Sequence, residues 1–109
     1  AAEGVIYSAV KFDTNDPKIV AIQEKYKLRY NKTLSLRTTA ITYDAVMIIA
    51  EQLRKCGEDV ECIKNGLYAT KNYPGISGLT SFDENGDVVR ALMLKTVKDE
   101  KFVEYKQVF

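Results

Sequence analysis

Apolar and polar positions change rhythm twice along the chain. From Gly4 to Val10 the run Gly-Val-Ile-Tyr-Ser-Ala-Val carries no charge and is rich in β-branched and aromatic residues, which predicts a strand covered on both faces. The spacing then becomes helical. Asp16 followed by Pro17 supplies a capping oxygen and a first-turn residue that needs no amide bond, and Ile19, Ile22, Tyr26 and Tyr30 recur three and four apart. After the break at Asn31 to Arg37, a second helix is expected with Thr38 or Thr39 as its cap. Its stripe is Tyr43, Val46, Ala50 and Leu53, widened by Met47, Ile48 and Ile49. Lys55 suits the negative end of that helix and Gly57 the left-handed turn that stops it. Asp59 can cap a third helix carrying Val60, Ile63 and Leu67, although Asn65 and Gly66 lower its intrinsic propensity. Pro74, Gly75 and Gly78 then punctuate the chain. Beyond them Leu79 to Phe82, Val88 to Val97 and Phe102 to Phe109 read as strands, with Asp83-Glu84-Asn85-Gly86-Asp87 as a hairpin turn. The expected class is α/β: a strand, three helices and a terminal β meander.

Composition narrows the range of functions more than it adds to the fold. With 109 residues, 46% hydrophobic and 28% charged, one globular unit with a modest core is expected. The net charge of +1 comes with lysines spread along the chain, so no basic footprint for nucleic acid appears. The longest apolar helical run, Ala45 to Ala50, stops at Glu51 and Gln52, well short of a membrane span. Ala1 to Gly4 have neither the basic start nor the apolar stretch of a signal peptide, which leaves location open. Cys56 and Cys62 fit neither a redox Cys-x-x-Cys nor a zinc knuckle. They read as a local disulfide or, in a reducing compartment, as two buried thiols, and the spacing favours the disulfide.

Chemistry has little foothold. The chain has no histidine, no Gly-x-Ser-x-Gly elbow and no His-Glu-x-x-His, so neither an enzyme nor a cofactor is expected. The acidic turn at Asp83 faintly resembles a calcium loop, but its twelfth position is Leu94 where a bidentate glutamate belongs, so no metal site is assigned. Two features are sharper. Hydroxyls and free amides at Thr38 and Thr39 read first as plain helix capping, with a dock for a carboxylate at the helix start as the sharper alternative. Asp44, on an otherwise apolar helix, reads either as an anchor for a ligand ammonium or, preferably, as a structural acceptor of bonds at a helix start.

Taken in order, Ala2-Glu3-Gly4 before a strand, Asp16-Pro17 opening a helix, Thr42-Tyr43-Asp44-Ala45-Val46 in the next helix, and Gly78 to Phe82 before Asp83-Glu84-Asn85-Gly86-Asp87 resemble the type I periplasmic solute-binding proteins, the branched-chain amino-acid receptor family. Residues 1–109 then read as one partial domain, the C-terminal third of a bilobed protein. Asp99-Glu100-Lys101 departs from the Asp-Gly found there in many members, so a different last turn is expected. The resemblance implies a non-catalytic, periplasmic or extracellular component of an ABC transporter whose lobes close on a small solute, typically an amino acid, before docking on a membrane permease. It places a crossover between lobes near Lys11 and Phe12. It also carries over one ligand contact, Thr38, with Thr39 as its neighbour. The main clamps on the solute lie upstream, so no measurable binding by this chain alone is expected, and exposed helix faces would favour a homodimer. The alternatives are a sensory ectodomain of the same fold and an independent disulfide-stapled interaction module.

Overall fold

The computed structural model describes residues 2–11 and 13–106, and the chain forms two units joined by short connections. The first is an antiparallel sheet of β1 (Ile6–Val10), β5 (Leu92–Lys98) and β6 (Lys101–Glu104), with β5 in the middle. Its register sets Ser8 opposite Leu94 and Thr96 opposite Val103. The second holds α1 (Pro17–Tyr30), α2 (Leu36–Cys56), α3 (Val60–Tyr68) and a small sheet of β2 (Tyr73–Gly75), β3 (Gly78–Phe82) and β4 (Val88–Val89). The Cα radius of gyration is 16.9 Å, against about 13 Å for a compact chain of this size. That excess reflects the separation into two units.

The helix boundaries follow from local chemistry. The Asp16 carboxylate accepts from Lys18 N at 2.8 Å, and α1 ends at Asn31 in the left-handed region, whose amide donates to the Lys27 carbonyl. Asp59 caps α3 by accepting from Cys62 N at 3.0 Å. Gly66 stands inside α3 for a packing reason. A Cβ there would come within 1.9 Å of the Gln52 side-chain oxygen, so the absent side chain is what lets the buried Gln52 amide lie against the helix. Cys56, at the end of α2, and Cys62, in α3, form a disulfide with Cα atoms 5.6 Å apart.

Four expectations need correction, three of them in α2 and the terminal strands. First, α2 begins before Thr38 and Thr39. Its N-cap is Ser35, whose carbonyl accepts from Thr39 N, and Leu36 is drawn into the first turn by packing on the buried cluster of Ile19, Ala40 and Ile76. Second, of the wide apolar stripe expected on α2, Tyr43, Val46, Ile49 and Leu53 are exposed, Met47 and Ala50 are half-buried and Ile48 alone is buried, in a row with Ala40, Asp44 and Gln52. Third, the strand expected from Val88 to Val97 is interrupted at Arg90 and Ala91. Its two pieces join different sheets, so the terminal meander divides between the units.

The first strand also differs, because Ile6 is 48% exposed, so β1 is not covered on both faces. Pro74 and Gly75, read only as punctuation, lie in the edge strand β2, where a proline costs no ladder bond. The turn at Asp83 forms as expected, with its carboxylate accepting from Asn85 N and Asp87 N at 2.9 Å and Gly86 at φ 85. The expected strand from Phe102 runs over Lys101–Glu104, and residues 107–109 lie outside the described residues, as does Phe12 of the expected crossover.

Candidate functional site

The start of α2 is an electropositive helix end. Ser35 makes no side-chain cap bond, the first turn contains Arg37 and no acid, and the leading amides of an α-helix have no intrahelical acceptors. Thr38 lies in this first turn with its residue exposed, available to a polar group outside the fold. Thr39 differs: it is half-buried beside Ile19, Ile22, Leu36 and Ile76, and its own amide donates to Ser35. The two threonines are adjacent in sequence and differ in environment. Thr38 is exposed at this helix end, while Thr39 takes part in the packing beneath it.

Six residues further along α2, Asp44 has a structural environment. It is only 1% exposed, and its carboxylate accepts from Ile76 N and Ser77 N, both at 2.8 Å, and from the Ser77 hydroxyl. Ile76 and Ser77 form the two-residue tip of the β2–β3 hairpin, since Gly75 pairs with Gly78. Gly75 has to be small, because a Cβ there would stand 2.2 Å from the Asp44 carboxylate. Arg90 completes the chain by donating an N–H to the Ser77 oxygen. Of the two readings of Asp44 its contacts fit the structural one, but the bonds come from the hairpin tip and not from a helix start, since Asp44 lies in the interior of α2.

A separate concavity lies elsewhere. A groove of about 690 Å³ opens beside the C-terminal half of α2, α3 and β2, with Glu51, Lys55, Asn65, Lys71 and Tyr73 in its walls. It includes the disulfide and lies at the opposite end of α2 from Thr38. The Tyr73 phenol is raised above its ordinary pKa, first by partial burial and then by the negative field of Glu51 and Asp44. No helix among the described residues is long and apolar enough to cross a membrane.

A strand, three helices and two antiparallel sheets in this order define the class. The chain has the α/β fold found in a C-terminal portion of type I periplasmic-binding proteins, and the similar structures include substrate-binding proteins of branched-chain amino-acid ABC transporters. A leucine-binding protein, LivK, from Thermotoga maritima is 27% identical with a TM-score of 0.72 over 96% of this chain and 31% of its own. A putative branched-chain amino acid ABC transporter from Rhodospirillum rubrum is 29% identical, with a TM-score of 0.65 over 95% and 31% of the two chains. LivJ from Streptococcus pneumoniae, in complex with isoleucine, is 25% identical with a TM-score of 0.68, again over 95% and 31%. The chain therefore spans about a third of the length of the structures it matches. No family model matches the chain, and no curated protein does.

Proposed function

We propose that this chain is part of the extracytoplasmic solute-binding component of an ABC transporter, holding an amino acid or similar small solute between two lobes. The observation that carries the reading is the shared fold with LivK over 96% of this chain at 27% identity. In this reading Thr38 contributes to the solute site from the exposed first turn of α2, where uncompensated amides and Arg37 favour a carboxylate. Thr39 stands behind it and sets the position of that turn. The reading describes a receptor that binds and releases a solute without transforming it, works in the periplasm or outside the cell, and delivers the solute to a membrane permease.

Titration calorimetry of the receptor containing this chain, against leucine, isoleucine and valine, tests the function. Saturable binding that Thr38→Ala weakens by about tenfold, the equivalent of one hydrogen bond to a charged group, is the expected result. Absence of binding to any solute of this class, or indifference to Thr38→Ala, would overturn the function or the assigned contact respectively. The 109-residue chain alone is expected to give no binding heat, because one helix end offers too few convergent groups to offset the lost freedom of a small solute. Its outward stripe of Tyr43, Val46, Ile49 and Leu53 should instead pair two copies. Light scattering at high micromolar concentration would show a dimer if this is so, and a persistent monomer would reject it.

A further inference from the structure

Two chain segments pass between the units, one starting at Lys11 after β1 and the other consisting of Arg90 and Ala91 between β4 and β5. They run side by side, with Lys11 N donating to the Ala91 carbonyl at 2.9 Å. The tip of the β2–β3 hairpin touches both. On one side Gly78, at φ 95, lies so close to Lys11 that an added Cβ would stand 3.1 Å from its carbonyl oxygen. On the other, the Ser77 hydroxyl oxygen receives an N–H from Arg90. The tip itself is fixed to the middle of α2, because Asp44 accepts from Ile76 N, Ser77 N and the Ser77 hydroxyl.

We propose that Arg90 is a latch that sets the angle between the two units, holding the connection in place through Ser77 and Asp44. A two-residue connection leaves four soft backbone dihedrals, enough for one unit to rotate against the other. The guanidinium removes that freedom from one end, since it belongs to the connection yet is bound to a hydroxyl that is itself buried and oriented by a carboxylate. The donors and acceptors alternate in the right sense: Arg90 donates to the Ser77 oxygen, and the Ser77 hydroxyl donates to Asp44. The inference rests on this geometry alone and does not require Thr38 to contact a solute. In a receptor whose lobes close on a ligand, the same latch would bias the balance between open and closed forms.

Residual dipolar couplings measured on the 109-residue chain read the relative order of the units directly. Amides of β1 and β5 form one set, and those of α2 and β3 the other. In the wild-type chain one alignment tensor should fit both sets. In Arg90→Met, which keeps most of the apolar stem and removes every donor, the sets should need separate tensors, while each still fits its own unchanged backbone. Ser77→Ala, which cuts the same chain one bond further in, should give the same separation. A single tensor in Arg90→Met would overturn the proposal, as would two tensors already present in the wild type. Loss of the helical unit's own fold in Arg90→Met would overturn it too, because Arg90 would then belong to that unit's core and not to its joint.

Discussion

Removing the Asp44 carboxylate should be among the most damaging single changes available to this chain. Its two oxygens satisfy two buried backbone N–H groups at 2.8 Å and one hydroxyl, at a position 1% exposed. Bonds to a charged acceptor contribute about 1.5–3 kcal/mol each, and a buried donor left without a partner costs about 1–3 kcal/mol. Asp44→Ala leaves all three donors facing a cavity, so about 3–5 kcal/mol of stability should go once partial relaxation is allowed. Asp44→Asn has the same shape but turns an NH₂ toward a donor. It keeps one acceptor and should cost about 2–3 kcal/mol. Domains of this size are stable by only about 5–15 kcal/mol. Urea unfolding followed by circular dichroism would measure the losses, and hydrogen exchange at Ile76 and Ser77 would locate them. An Asn variant within about 0.5 kcal/mol of wild type, the usual scatter for an uninvolved surface position, would refute the anchoring role. Rapid exchange of those two amides in the wild-type protein would refute it as well.

Three further outcomes follow from other parts of the fold. Asp99 and Glu100 both have positive φ, at 50 and 60, in the two-residue turn between β5 and β6, and Glu3 accepts from Asp99 N at 2.9 Å. Glu100→Gly should therefore raise the urea midpoint by the equivalent of about 1 kcal/mol, and an unchanged or lower midpoint would contradict the left-handed turn. Cys56 and Cys62 are six positions apart, so reduction should lower stability by about 2 kcal/mol through the freedom returned to the unfolded chain, measured as the difference between unfolding curves with and without reductant. The folded pKa of Tyr73 lies above 10.0, its value when unperturbed. Its contribution is present below that value and is lost as pH rises through the higher folded one. The component that a phenolate absorbance titration loses in Tyr73→Phe should be centred above 10.0, and a lost component centred at 10.0 would reject the shift.

Three helix ends were legible because each depends on a residue acting within one turn of itself, whereas the start of α2 at Ser35 was not. Asp16, Asp59 and Gly57 do the same local chemistry in the fold that their types suggest in isolation. The split of the Val88 to Val97 segment was not legible. Nothing local stops the strand, since both Arg90 and Ala91 could continue it, and at the break the Arg90 side chain bonds a serine thirteen positions earlier. The departure from Asp-Gly at Asp99 was visible, but its remedy was not. A turn without glycine adopts the two left-handed conformations anyway, under a carboxylate from Glu3 some 96 residues away.

The misread face of α2 shows why hydrophobic spacing alone can select the wrong side of a helix. Its outward stripe of Tyr43, Val46, Ile49 and Leu53 is uniformly apolar, whereas its inward row, Ala40, Asp44, Ile48 and Gln52, is half polar. On pattern alone the first looks like a core and the second like a solvated flank. The inward row can be polar because each polar group meets a neighbour that is conspicuously small. Asp44 lies against Gly75 and accepts from the hairpin tip, and Gln52 lies against Gly66. The readable signal was thus shared between elements: a glycine inside α3 and a Gly-Ile-Ser-Gly tip, each placed where a carboxylate or an amide needs room. An outward apolar face and an inward polar row are both understandable if α2 lies between two surfaces, one of which is the hairpin and α3. Proteins of the matched fold have about three times this length, and under the function proposed above the rest of such a receptor would supply the other.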